Sequence, residues 1–432
     1  MKAAITEGKK ERTMSVGTKA NNRFLIVLGT IIMQMGLGTI YTWSLFNQPL
    51  VTKYGWELGS VSTTFSITSF ALAFATLFAG KLQDKIGLRR LTAVAGVMLG
   101  LGLMYSSHAT TLPMLYLLAG VVAGYADGTA YITSLSNLIK WFPNRKGLIS
   151  GVSVGAYGTG SLIFKYVNAH LIGSVGVSRT FLYWGMIVMA MVIIGSLLVR
   201  EASVAPAGTD KASSPLAPLE KKDYTVGEML RTKQAYLLFT IFFTACMSGL
   251  YLIGIVKDIG VKLAGLDVQT AANAVAMIAI FNTAGRLILG ALSDKMSRLK
   301  LIGFTMAITA VAALTLSFAQ LNFGLFFASV AAIAFCFGGN ITVFPAIVSD
   351  FFGLKNHNKN YGIVYQGFGI GALSGSIIAA FLGGFKPTFI TIGALCLISC
   401  LIAVMLKPPV QVRKERKRNP EMPGRTAYEQ IS

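Results

Sequence analysis

Apolar runs of about twenty residues alternate with short polar stretches along most of the chain, and each is long enough to cross a ~30 Å hydrocarbon layer as a helix. Twelve such runs are predicted: Phe24–Phe46, Val61–Gly80, Leu91–Ser107, Leu112–Leu138, Gly147–Leu171, Thr180–Val199, Ala235–Val256, Thr270–Leu292, Leu301–Gln320, Phe323–Val348, Tyr361–Phe381 and Thr388–Leu406. They divide into two six-helix halves, residues 24–200 and 235–406, flanked by a polar tail (1–23) and a basic tail (407–432). Residues 201–234, where the apolar pattern stops and Ala, Pro, Ser and Lys take over, read as a flexible linker. Its second part, Tyr224–Arg231, predicts a short surface helix.

With 54% hydrophobic and 13% charged residues, the chain is an all-α polytopic membrane protein rather than a soluble enzyme. The first run follows a polar, basic leader and is long enough to span, so no cleavable signal is expected. A net charge of +21 would suggest nucleic acid in a soluble chain, but its distribution fits membrane topology better. If both termini are cytoplasmic, thirty-one of the 38 Lys and Arg fall in inward loops and tails. Five face outward (Lys53, Arg179, Lys257, Lys262 and Lys386), and two, Lys165 and Arg286, lie inside spans. That bias sets the orientation. The basic tail Arg413–Arg418 then meets anionic lipid headgroups, and no nucleic-acid partner is expected. Cys246, Cys336, Cys396 and Cys400 all sit in apolar runs and read as small core residues, with no disulfide framework and no metal site.

Arg286 is the residue most out of place. It precedes Asp294 by eight positions, which puts it ~12 Å above the charged end of its helix, near the membrane midplane. A cation there is costly and faces a bundle interior or a wet cavity, so it is a binding candidate. The alternative is a structural arginine tied to backbone carbonyls or to a carboxylate. Asp127 and Lys165 lie ~21 and ~27 Å from the inner ends of the fourth and fifth spans. A structural ion pair between them, outward snorkelling of Lys165, and a transport role with Asp127 as proton carrier all remain open. Tyr131 and Tyr157, each ~15 Å deep, could hydrogen-bond a carboxylate or simply pack.

An internal repeat relates the halves. Gly80-Lys81-Leu82-Gln83-Asp84-Lys85, followed by Arg89 and Arg90, is echoed by Gly290-Ala291-Leu292-Ser293-Asp294-Lys295, followed by Arg298. The same offset of 210 relates Tyr41 to Tyr251 and Trp141-Phe142 to Phe351-Phe352. Two similar halves can rock about a site at their interface. The charged clusters are expected to bridge helices in one conformation and part in the other, the alternative being solvated positive-inside loops.

The pattern from Gly80 to Arg90 resembles the signature loop of the major facilitator superfamily, and within it the chain resembles the oxalate/formate antiporter family over nearly its whole length. Carrying this are Tyr41-Thr42-Trp43-Ser44-Leu45-Phe46, Lys140-Trp141-Phe142-Pro143-Asn144-Arg145-Lys146-Gly147, Asn282-Thr283-Ala284-Gly285-Arg286, and Phe344-Pro345-Ala346 through Asp350-Phe351-Phe352-Gly353. The resemblance implies carboxylate transport, with Arg286 as the substrate-binding arginine and Tyr41 and Tyr131 similar to the aromatic lining. Tyr251 is added as the repeat counterpart of Tyr41. Family members that carry oxalate present a second cation in the eleventh span, where this sequence has Phe368. A dianion binds best between two cations, whereas one arginine matches one carboxylate. The substitution therefore points to a monocarboxylate such as pyruvate, lactate or formate.

Other motifs fail on context. Gly155-Ala156-Tyr157-Gly158-Thr159-Gly160 lies inside a span with no preceding strand, the sequon at Asn340 is also within a span, and His108, His170 and His357 sit at loops or span ends. No nucleophile–base pair or ATP-binding loop appears. The expectation is a monomeric secondary transporter of a small carboxylate in a bacterial inner (plasma) membrane, without cofactor or metal. A proton-coupled exporter of other organic compounds and a carboxylate-binding membrane sensor are the alternatives.

Overall fold

A computed structural model of the 432-residue chain describes residues 23–202 and 222–409. The two tails and most of the expected linker, including Arg413–Arg418, lie outside the described residues. Among the described residues every regular element is helical. Ten helices are long and apolar enough to cross a membrane, and one of these, Lys146–Leu198, is two helices joined at Gly176. Val268–Leu292 makes the twelfth.

We label the spans α1 (Arg23–Thr42), α2 (Leu58–Ile86), α3 (Leu88–Ser106), α4 (Leu112–Trp141), α5 (146–175), α6 (177–198), α7 (Lys233–Lys262), α8 (Val268–Leu292), α9 (Arg298–Phe318), α10 (Phe323–Phe352), α11 (His357–Ala379) and α12 (Phe385–Met405). Several run past their expected limits at the charged end. α2 continues to Ile86 and α10 to Phe352, so Asp84 and Asp350 sit on helix ends, whereas Asp294 and Lys295 lie in the turn between α8 and α9. Side-chain caps start α8, where Asp267 accepts the Thr270 N–H at 2.9 Å, and α10, where Asn322 accepts that of Leu325 at 2.8 Å. The expected loop between the fifth and sixth spans is reduced to a kink, because Gly176 takes φ 80°, a backbone conformation open to glycine.

Two departures from regular helix matter for function. The first span is not one continuous helix to Phe46: it tightens to a 3₁₀ turn at Thr39–Thr42 and resumes as Ser44–Tyr54. α11 is interrupted at Tyr365, between His357–Val364 and Gln366–Leu382. The second break is held by Gln366, whose amide donates to Ala73 O at 2.7 Å and Gly362 O at 2.8 Å. α4 also holds a π-helical stretch, Tyr116–Val122. The predicted surface helix is present as Val226–Leu230, closed by a capping box between Thr225 and Glu228.

Within the first half α2 packs on α4 and α3 on α6, and within the second α8 packs on α10, α7 on α11 and α9 on α12. The halves meet through α5 against α8 and α2 against α11. These two pairings are exchanged by the 210-residue offset. Apolar side chains such as Phe70, Phe74, Leu401 and Val404 are exposed on the outside of the bundle, as lipid-facing positions require. Cys246, Cys336 and Cys396 are buried and free, and Cys400 is half-buried.

Candidate functional site

A small central cavity of about 10 Å³, room for about one water in this conformation, lies between the halves, lined by Tyr41, Tyr131, Val154 and Tyr157 from one and by Arg286, Ile341, Tyr365 and Phe368 from the other. Arg286 is 4% exposed. Its height is fixed by a close helix crossing: a Cβ on the preceding Gly285 would lie 2.0 Å from the Phe335 carbonyl oxygen of α10, so only glycine permits the approach. Across the cavity, a Cβ on Gly158 would stand 2.9 Å from Nη1 of the guanidinium. Nη1 donates to the Val154 carbonyl at 2.7 Å, which partly meets the structural alternative. Nε is buried without a partner, as is the Tyr131 hydroxyl.

The aromatic wall depends on the two helix breaks. The 3₁₀ turn of α1 carries Tyr41, edge-on to Tyr157 with ring centroids 5.3 Å apart. Tyr157 is also edge-on to Tyr131 at 5.5 Å. Tyr131 meets Tyr365 across the halves at 5.5 Å, and Tyr365 stacks on Phe368 at 5.2 Å. Discontinuous helices lining a midplane cavity are the usual place for irregular backbone in a bilayer. The arrangement offers one cation, several hydroxyls and an apolar remainder.

Tyr251 does not join this wall. It packs against Gly375 and the ring of Phe389 inside the second half, with centroids 5.6 Å apart. Of the readings left open for Asp127 and Lys165, the ion pair between them is not formed. Asp127 is fully buried and accepts from the Tyr157 hydroxyl at 3.3 Å, whereas Lys165 lies on the exposed side of α5, where its amine can reach the boundary.

The repeated clusters do bridge the halves. Asp294 accepts the backbone N–H groups of Gly147 and Leu148, each at 2.8 Å, and pairs with Arg298 at 2.6 Å. Arg298 also bonds Asp350, which Lys146 reaches at 2.9 Å. The counterpart Asp84 pairs with Lys359, next to Gly80, where a Cβ would lie 2.6 Å from the Lys359 chain. Gly290 likewise abuts Gly147. Arg89 instead donates to Leu197 O within its own half at 2.6 Å, and Arg90 and Lys295 are exposed. The recorded hydrogen bonds between halves run from the midplane to this charged end: Gln366 to Ala73, Ser150 to Thr342 O at 2.6 Å, His357 to Ser136 at 3.1 Å and Asn358 to Gln83 at 2.8 Å. Sequence reading missed Tyr365, Lys146, Asp350 and Lys359 as working parts. The offset held a signal for the last, since it maps Gly147, which Asp294 grips, onto His357 near the partner of Asp84.

The sequence matches the Major Facilitator Superfamily over residues 26–281 and 250–430. It is 47% identical over 360 residues to the uncharacterized MFS-type transporter YhjX of Escherichia coli (strain K12), spanning 83% of this chain and 88% of that one. It is 29% identical over 413 residues to the oxalate:formate antiporter of Oxalobacter formigenes, spanning 94% and 97%. Among solved structures, the proton:xylose symporter XylE superposes with a TM-score of 0.69 at 13% identity, over 88% of this chain and 95% of that one. Twelve helices in two similar halves, a cavity between them and matches along nearly the whole sequence place this chain in the major facilitator superfamily of membrane transporters.

Proposed function

We propose that this transporter carries a small monocarboxylate, such as pyruvate, lactate or formate, by alternating access across a bacterial plasma membrane. The observation that carries this reading is the cavity's charge and donor set. Of its eight lining residues Arg286 alone is a cation, and two atoms of those lining residues, Arg286 Nε and the Tyr131 hydroxyl, are buried without a hydrogen-bond partner. Two buried donors without acceptors are costly in an apolar setting, and a carboxylate accepts from both. Phe368, Ile341 and Val154 supply apolar surface for a short substituent and give no second cation to balance a dianion. The relative named as an oxalate:formate antiporter supports small carboxylates as the class. Both termini and the charged end face the cytoplasm, because thirty-one of the 38 Lys and Arg then lie inside. The Asp84 and Asp294 clusters are the cytoplasmic gate, closed in this conformation, so the carrier works as a monomer with its own two halves as the moving parts.

The test is counterflow in proteoliposomes loaded with unlabelled pyruvate. Labelled pyruvate should accumulate and be displaced by lactate or formate more effectively than by oxalate. Preferential displacement by oxalate would overturn the monocarboxylate assignment, and binding without flux would identify a sensor.

A further inference from the structure

An α-helix turns ~100° per residue, so the contacts of α5 map out its sides. Gly147, Gly151, Gly155 and Gly158 lie within ~80° of one another, and a Cβ on any of them would crowd α8 at Gly290, Arg286, Leu287 or Thr283. Val154 and Tyr157, at the edge of that stripe, line the cavity. Gly160 and Asn168 face α1 instead, the first against Met35 and the second through a 2.8 Å bond to the Thr42 hydroxyl. Ile163 and Tyr166 are exposed apolar residues on the remaining, lipid-facing side. Lys165 follows Gly158 by seven positions and Val154 by eleven, which brings it within ~20° of both. It therefore stands on the cavity's side of α5, ~10 Å farther from the charged end than Gly158.

The glycines below it on that side are buried, whereas Lys165 is exposed. Beyond Gly158 no hydrogen bond or glycine contact between α5 and α8 is recorded among the described residues, and a Cβ on Gly173 would meet nothing within 4 Å. No carboxylate pairs with Lys165 among the described residues, and α5 has no acidic residue of its own. A lysine that only snorkelled to the lipid boundary would lie on the side of Ile163 and Tyr166. Lys165 and Arg286 are instead two cations along one cleft, the first at its mouth and the second at its floor. A cleft with low-dielectric walls and charge of one sign concentrates counter-ions and speeds their entry.

We infer that Lys165 is an outer binding step for the transported anion. A carboxylate arriving from the side opposite the charged end pairs first with the Lys165 amine and then passes down the Val154 edge to Arg286. The order follows from the two cations. An exposed ammonium is hydrated and holds an anion weakly, whereas a buried guanidinium offers two-pronged bonds. Lys165 thus sets how fast the anion enters and leaves, and Arg286 holds it. The inference rests on the reading of Arg286 as the carboxylate ligand.

The experiment uses the full chain in vesicles oriented with the charged end inside. Lys165→Cys should raise the KM for external pyruvate about tenfold at low ionic strength, with a much smaller effect on kcat. High ionic strength should shrink the difference from the unmodified protein. A methanethiosulfonate bearing a quaternary ammonium, added outside, restores positive charge at the new thiol and should bring the KM most of the way back. One bearing a sulfonate should raise it further, and saturating pyruvate should slow both modifications. The unmodified protein, whose cysteines are buried or half-buried, is the control. The same KM after either reagent, or modification that ignores pyruvate, would put the amine against lipid and overturn the inference while the reading of Arg286 stands. Absence of pyruvate exchange by the unmodified protein would overturn that reading and the inference with it. If Lys165→Cys does not fold, Lys165→Arg should keep the KM within about threefold and Lys165→Gln should not, and equal values in the two would overturn the inference.

Discussion

Asp294 accepts the backbone N–H of Gly147 at 2.8 Å, so a carboxylate from one half caps the first turn of a helix in the other. Its other oxygen takes the next N–H, of Leu148, and Arg298 neutralises it. A helix N-terminus attracts negative charge, and charge-assisted bonds in a partly buried place are strong. The repeat counterpart is much weaker. Asp84 holds a single partner, Lys359, with its side chain 61% exposed against 13% for Asp294. Asp294→Asn should therefore destabilise the closed gate by about 1–3 kcal/mol, and Asp84→Asn by no more than about 1 kcal/mol. A cysteine at Ser150, buried between α5 and α10, would report this. Its modification from the charged side should speed up roughly tenfold or more in Asp294→Asn and much less in Asp84→Asn.

Arg286→Gln should abolish carboxylate binding, and Arg286→Lys should weaken it, since a point charge cannot reproduce the two-pronged geometry of a guanidinium. Bonds of this kind are worth about 1.5–3 kcal/mol each, so the glutamine variant should lose roughly a hundredfold in affinity or more. Competition by pyruvate against a labelled monocarboxylate measures it. Normal affinity in Arg286→Gln would place the carboxylate elsewhere.

Phe368→Lys should add a second cation to the cavity wall and move the preference toward oxalate over pyruvate. An unpaired buried lysine also destabilises the empty carrier, so lower yield in detergent is expected alongside. The ratio of oxalate to pyruvate inhibition constants reads the effect, and an unchanged ratio would remove Phe368 as the residue that sets it.

Two tyrosines expected to line the cavity, Tyr131 and Tyr251, should behave differently. Tyr131→Phe removes an unpartnered hydroxyl from the cavity and should cost about 0.5–1.5 kcal/mol of substrate affinity, roughly a threefold to tenfold rise in Kd. Tyr251→Phe should leave affinity within about twofold, because that ring packs on Gly375 and Phe389. Isothermal titration on both variants separates a shared role from a divided one.

That difference shows where sequence reading stops. The spans and the odd arginine are legible because a bilayer leaves little choice: a backbone in hydrocarbon must satisfy itself, and a midplane cation must have a purpose. Tyr251 misled because the offset preserves position along a helix but not the helix's shape. α1 breaks into a 3₁₀ turn at Tyr41, while Tyr251 lies on the continuous α7. Asp127 and Lys165 could not be told apart from a pair for another reason. Counting residues from a helix end gives depth, and their depths agree, but depth says nothing about which way each side chain points around the helix. Tyr365 was hidden because its place on the wall comes from the break in α11, which is held by Gln366 bonding across to α2. Contacts between distant segments of this kind leave no local pattern.

The division of the cavity wall has a consequence for the laboratory. Four lining residues belong to the first half and four to the second, with the guanidinium on one side and most of the hydroxyls on the other. An anion bound as proposed would therefore be held by both bodies at once and act as a tether between them, and any rocking that opens the cavity to water would weaken its grip. Substrate should then protect the folded protein against heat in proportion to RT ln(1 + [L]/Kd), about 2.7 kcal/mol at a hundred times Kd. Melting in detergent across a panel of anions becomes a way to rank ligands with no vesicle and no flux. Only anions short enough to touch both sides should raise the Tm.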